Sequence, residues 1–121
     1  MIPEKKTTES WNDIPREKMN ELVTRQVLHG DTITVARLEL RQGAFVPIHS
    51  HANEQISMIT VGAVEFELDG KKIVVRAGEM LQIPGNVPHS ALALQDSVAV
   101  DIFSPVREDW RSGDDDYLRG R

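Results

Sequence analysis

The chain has 121 residues, 40% hydrophobic and 27% charged, with a formal net charge of −5 and no cysteine. That length supports one domain around one core, and the cysteine-free composition excludes disulfides and thiolate metal sites. The acidic balance argues against nucleic acid as a partner, because phosphate backbones require clustered Lys and Arg.

The first stretch, residues 1–20, is polar and carries Pro3 and Pro15. It has no apolar core of the kind a secretory signal needs, and no run in the chain is long enough to cross a bilayer. The expected setting is therefore cytoplasmic, without a membrane partner. The stretch is expected to be an N-terminal arm anchored by Trp11 and Ile14. Leu22 to Leu28 is expected to form a strand closed by His29-Gly30-Asp31, with His29 in solvent. Thr32 to Leu40 is rich in β-branched residues and predicts a second strand, broken at Gln42-Gly43.

Strands are predicted next at Gln55 to Val61, at Ala63 to Leu68, and at Lys71 to Arg76. In the middle one, Val64, Phe66 and Leu68 alternate with Glu65 and Glu67, the period of a half-buried strand. The Asp69-Gly70 pair between the last two is a strong hairpin signal. Met80 to Ile83, Ala91 to Leu94 and Val98 to Phe103 complete the strands. Residues 108–121 are expected to be a charged tail, tethered by Trp110, with Asp114, Asp115 and Asp116 solvated. Met19, Met58 and Met80 are expected to fill the arm or core rather than bind anything. No segment carries a long 3.6-residue apolar period, so regular helices should be scarce. Eight or nine short strands separated by turns imply an all-β sandwich or barrel over residues 21–107.

Gly43 to Gly62, GAFVPIHSHANEQISMITVG, holds the chemistry. His49 and His51 are two apart, so an extended chain points both imidazoles the same way. His89 lies in the Pro-rich bend IPGNVPHS and offers a third donor. Three imidazoles suit Zn, Ni, Fe or Cu, although an isolated H-x-H is usually a surface feature beside a turn.

These residues resemble the cupins, the small double-stranded β-helix or jelly-roll barrels. The first cupin motif runs Gly, five residues, His-x-His, three or four residues, Glu, six residues, Gly. Gly43, His49, His51 and Gly62 match it, with Gln55 in the glutamate place. In the second motif Gly78, Pro84 and His89 match, while Asn86 stands for a glycine and Ala93 for an asparagine. The resemblance implies one divalent transition metal (Zn, Ni, Fe, Mn or Cu) held by His49, His51, Gln55 and His89, and a homodimer. A glutamine offers only a neutral carbonyl oxygen, so the metal's charge would be poorly compensated and would favour an anionic oxygen ligand such as a carboxylate. The alternative is that Gln55 marks a degenerate site. Glu54 is expected to face the opposite way.

HSHANEQIS, IPGNVPHS and DIFSPVREDW together are similar to the KdgF type of cupin, which opens the ring of 4,5-unsaturated uronates. In that type the metal is held by three His and a Gln. The likeness implies a small anionic substrate, an unsaturated sugar acid. It gives Asp101 the general acid/base role, Phe103 an apolar wall, and Arg107 a carboxylate clamp. The plainer alternatives are that Asp101 is an exposed strand residue or a structural ion-pair partner of Arg107, that Phe103 is core, and that Arg107 caps the barrel. Two other functions fit the motifs: a cupin dioxygenase of an enol or diketone, and a non-catalytic small-acid binder.

Overall fold

The structure is a computed structural model and describes residues 8–119. The expected arm is covered from residue 8 onward; residues 1–7 of it lie outside the described part. After a 3-10 turn at Trp11–Asp13 come ten strands: β1 Glu17–Lys18, β2 Val23–His29, β3 Thr34–Leu40, β4 Phe45–His49, β5 Glu54–Val61, β6 Ala63–Leu68, β7 Lys71–Arg76, β8 Met80–Ile83, β9 His89–Ala93 and β10 Ser97–Ser104. Two four-residue helices follow, α1 Glu108–Arg111 and α2 Asp116–Arg119.

The strands form two antiparallel sheets, one ordered β1-β2-β3-β10-β5-β8 and the other β4-β9-β6-β7. The pairs β3-β10, β10-β5, β5-β8, β4-β9 and β9-β6 join strands far apart in sequence, which is the interleaved winding of a jelly-roll barrel. Alternation does the sorting: along β3, Thr34, Ala36, Leu38 and Leu40 are buried while the residues between them are half-exposed. The inward faces of both sheets meet in one core that includes Leu38, Ile59, Val64, Phe66, Ile83 and Phe103.

Turns hold the register where the sequence signals them. Asp69 and Gly70 both have positive φ (49° and 82°), as a tight β6–β7 hairpin with right-handed strand twist requires. Gly62 links β5 to β6 at φ +85°, and a Cβ there would collide with the Ser97 side chain and the Asp96 carbonyl. Asn86 takes φ 67°, a region glycine enters freely and asparagine tolerates, so it can stand where the cupin pattern has glycine.

Several expectations shift. Strand β1 sits in the arm, which the polar composition did not signal. Gln26 reaches back from β2 to donate to the carbonyls of Trp11 (2.6 Å) and Ile14 (3.0 Å), pinning that arm to the sheet. His29 is half-buried rather than solvated, with Nδ1 2.8 Å from Thr34 Oγ1. The acidic run is not a solvated tail throughout: Asp115 is 1% exposed and pairs with Arg25 and Arg119, each at 2.9 Å. Burying Trp110 and Leu118 draws residues 108–119 over one end of the barrel, and this carries Asp115 onto Arg25.

Candidate metal centre

His49 ends β4 directly opposite His89 at the start of β9, so the two imidazoles enter the barrel from neighbouring strands. A register shift between Val46 and His49 re-aims that end of β4. His51 lies beyond the strand, in the loop before β5, so its approach depends on the loop rather than on strand alternation. Asn53 fixes that loop by donating from Nδ2 to the carbonyls of Pro105 (2.5 Å) and Val106 (3.3 Å). Asn86 N–H adds a 2.7 Å bond to the His51 carbonyl.

The ligand atoms of His49, His51 and His89 all lie within 4.8 Å of one another. Each ring is oriented by a backbone carbonyl that meets its Nδ1: Pro47 at 2.8 Å for His49, Asn53 at 3.0 Å for His51 and Val87 at 2.8 Å for His89. A carbonyl only accepts, so Nδ1 carries the proton and Nε2 is left as a bare lone pair. Such carbonyl partners are what orients metal-binding histidines elsewhere. Desolvation lowers the pKa of all three histidines, to about 4 for His49 and His51. Neutral imidazole is the form that binds a metal. His89 Nε2 is buried and has no hydrogen-bond partner, an arrangement that a cation would satisfy.

Gln55 is buried on β5, whereas Glu54 is exposed and accepts from Gln82 at 3.0 Å. The Gln55 amide nitrogen donates to Ser57 Oγ at 2.9 Å, which turns Oε1 towards His51. Three neutral imidazoles suit a divalent transition metal without choosing among them, and the Gln55 amide oxygen lies beside them, 3.1 Å from His51 Nε2.

The same centre opens on a cavity of about 60 Å³ lined by His49, Gln55, His89, Asp101, Phe103, Arg107 and Tyr117. Asp101 on β10 stands across from Ser57 of β5. It is 8% exposed and its Oδ1 has no hydrogen-bond partner. Burial raises its pKa to about 6, against the opposing pulls of the Ser57 hydroxyl and the Arg107 charge. Arg107 is 1% exposed, and its carboxylate partner is Asp109, not Asp101. Nε and Nη2 donate to the two Asp109 oxygens at 2.9 and 2.7 Å, and Nη2 also to Tyr117 Oη at 2.9 Å. The guanidinium lies between the rings of Phe103 (4.7 Å) and Trp110 (4.2 Å). Phe103 is both core and cavity wall, 1% exposed and edge-on to His51 at 5.7 Å.

All seven residues singled out in the sequence thus converge on one end of the barrel. Three further participants were missed. Ser57 carried a faint signal, being two residues from Gln55 on the same strand face. Asp109 adjoins Arg107 but looked like tail. Tyr117, the only tyrosine, sits in an acidic stretch that gave no sign of folding back.

The cupin domain family, compared as a whole, matches residues 36–103, more than half of the chain. The chain belongs to the cupin family. A curated relative, the pectin degradation protein KdgF of Dickeya dadantii (strain 3937), is 26% identical over 102 residues, covering 82% of this cupin and 93% of the relative. Among solved structures, an RmlC-like cupin from Shewanella frigidimarina NCIMB 400 superposes with a TM-score of 0.81 at 25% identity, over 88% of this chain and 96% of the other. KdgF from a Halomonas species gives a TM-score of 0.76 at 28% identity, over 82% and 94%. A predicted oxalate decarboxylase from Thermotoga maritima, at 19% identity and a TM-score of 0.74, shares the fold.

Proposed function

We propose that this cupin holds one divalent metal on His49, His51, His89 and Gln55 and opens the ring of 4,5-unsaturated uronates to 5-keto sugar acids. The similarity to KdgF proteins from Dickeya and Halomonas supports the substrate class. The observation that carries the reaction is Asp101: a buried carboxyl with an unpartnered oxygen and a pKa of about 6, facing the same cavity as the histidines. A group that titrates near neutrality can both take and return a proton.

In this reaction Asp101 removes the proton of the anomeric hydroxyl. The C1–O5 bond breaks as C1 becomes a carbonyl, and its electron pair leaves as the enolate spread over O5, C5 and C4. Returning the proton to C4 gives the open-chain 5-keto acid, so atoms and electrons balance without an oxidant. Arg107 supplies the fixed positive charge for the substrate carboxylate, and Asp109 holds its guanidinium flat between Phe103 and Trp110. The metal, when bound, supplies Lewis-acid stabilisation of developing negative charge on oxygen.

The test is loss of the ultraviolet absorbance of freshly lyase-generated 4,5-unsaturated monouronate, with metal-loaded protein. Acceleration over the spontaneous rate that is independent of O₂ and abolished by chelator is expected. No acceleration with metal bound would overturn the reading, and consumption of O₂ with an enol or diketone would replace it with a dioxygenase. The reading includes a homodimer, for which exposed Phe45 and Ile48 on edge strand β4 offer apolar surface. Light scattering at low concentration checks it.

A further inference from the structure

The cavity beside the histidines is too small for the ligand it is proposed to take. About 60 Å³ lies well below the roughly 300 Å³ at which small-molecule pockets begin. Tyr117 lines this cavity. Its ring stacks on His49 at 4.5 Å with the planes 29° apart. Its hydroxyl oxygen accepts from Arg107 Nη2 at 2.9 Å and from Trp110 Nε1 at 3.1 Å. One planar six-membered ring on the imidazole and one oxygen on two converging N–H donors reproduce what a cyclic sugar acid would present there.

We infer that Tyr117 is a displaceable plug that occupies the sugar-acid subsite, and that Arg107 Nη2 and Trp110 Nε1 are the carboxylate donors it covers. The inference rests on the cavity being the substrate site, whatever reaction follows. The hardware for displacement is present. Helix α2 has four residues, too few to be stable away from the barrel, so it holds its place only through contacts. Besides those of Tyr117 itself, they include the buried Leu118 side chain, a 2.9 Å bond from Asn20 Nδ2 to the Leu118 carbonyl, the Asp115 pair with Arg25 and a 3.5 Å pair of Arg119 with Glu17. Gly113, at φ +84°, separates α2 from α1 and is the natural hinge. Trp110 belongs to α1 and is clamped between Arg107 at 4.2 Å and Arg25 at 4.6 Å. It stays when α2 leaves, with its N–H still aimed at the vacated place. Because Asp109 goes on orienting the guanidinium, departure of the phenol frees one charged and one neutral donor side by side. A carboxylate accepts both more strongly than a phenol does.

The experiment uses full-length, metal-loaded protein and D-galacturonate, a saturated uronate with no double bond to turn over. Calorimetry compares the wild type with Tyr117→Ala and Tyr117→Phe, and hydrogen exchange follows the amides of residues 114–119. Removing the ring is expected to tighten galacturonate binding about tenfold, the scale of one aromatic contact. Tyr117→Phe keeps the stacking, loses only the hydroxyl, and should tighten binding about two- to threefold. In the wild type, saturating galacturonate should speed exchange at 114–119 several-fold. Equal, weaker or absent binding by Tyr117→Ala, or exchange at 114–119 that is unchanged or slowed, would overturn the plug. Should Tyr117→Ala fail to fold, the phenylalanine variant and the wild-type exchange decide the matter. Galacturonate that displaces the plug while unsaturated uronate is not turned over would sink the ring-opening reading and leave the plug standing.

Discussion

His51 Nε2 and Gln55 Oε1 face one another 3.1 Å apart. With the His51 proton on Nδ1, against the Asn53 carbonyl at 3.0 Å, both atoms are acceptors, because the Gln55 amide protons lie on the nitrogen that donates to Ser57. Two acceptors held this close repel unless a cation lies against both. Gln55→Glu adds a negative charge to that pair while keeping the reach. It should tighten Zn²⁺ or Ni²⁺ binding at pH 7 about tenfold, and Gln55→Ala should weaken it by a similar factor, on the scale set by one ligand's charge and orientation. Competition titration against a chromophoric chelator measures both. Equal affinities in all three proteins would remove Gln55 from the ligand set.

Gly85 should matter to the metal although it touches none. A Cβ at this position would lie 2.5 Å from the Ala52 carbonyl oxygen, in the loop that carries His51. The three nearest atoms, of Ala52 and Asn53, are all backbone, so Gly85→Ala must push the 51–53 loop away, and His51 moves with it. The expected result is about a tenfold loss of metal affinity, the scale for disturbing a ligand's support. Unchanged affinity in the same titration would mean that the loop yields without carrying His51 along.

What could be read from the sequence, and what could not, divides along contact range. The strands β3, β6 and β7 follow from alternation and from Asp69-Gly70, which are local properties of the chain. The three histidines and Gln55 follow from motif spacing, because short-range turns fix where those side chains emerge. Tyr117 and Asp115 owe their places to contacts across the molecule, with His49 and with Arg25 ninety residues away. An acidic stretch with one tyrosine has no periodicity to announce such docking. The role of His51 was legible while the reason for it was not: strand alternation suggested the direction, but a loop held by Asn53 and Asn86 provides it.

Asp115 should be a structural residue of the kind that a solvated tail would not contain. Its carboxylate is covered, though shallowly, and bonds Arg25 and Arg119, whose guanidinium groups hold its pKa below the usual carboxylate range. Arg25 is itself 3% exposed, with Nε and Nη1 unpartnered, and Asp115 is its shorter and more buried carboxylate partner, Glu17 standing at 3.4 Å. Asp115→Asn leaves that charge only the longer contact with half-exposed Glu17 at 3.4 Å and should cost about 2–3 kcal/mol, towards the lower end for breaking a covered pair. Thermal unfolding would show a drop of roughly 8–15 °C for a domain of this size. A change of under a degree would mean that Arg25 finds another partner or water.

Asp101 and the histidines push the pH dependence of the metal-free protein in opposite directions. Asp101 has its folded pKa raised to about 6 by burial. The folded state holds that proton where the unfolded chain has lost it, so the stabilisation is present at low pH and disappears as pH rises through 6. The loss amounts to about 3 kcal/mol if the carboxyl titrates two units above its ordinary value. For His49 and His51 the folded pKa is lowered to about 4, again by desolvation. The unfolded chain takes up those protons first, so this contribution is present above the ordinary histidine pKa and is lost as pH falls from about 6.5 towards 4. Between pH 4 and 6 the two histidines outweigh the one carboxyl, so stability should rise with pH and level off above about 6.5. Asp101→Asn removes the opposing contribution, so its rise should be steeper: relative to wild type it should gain stability as pH climbs from about 4 to 6 and hold a constant difference above. Melting curves of chelated protein across that range check the sign, and a difference flat with pH would mean that Asp101 is already ionised at low pH in the folded state. The same substitution should lower turnover of unsaturated uronate by about 10²- to 10⁴-fold, the usual worth of a positioned acid/base. A variant that is more stable yet nearly inactive would separate the proton-transfer role from a structural one, since a buried structural carboxylate would cost stability when neutralised.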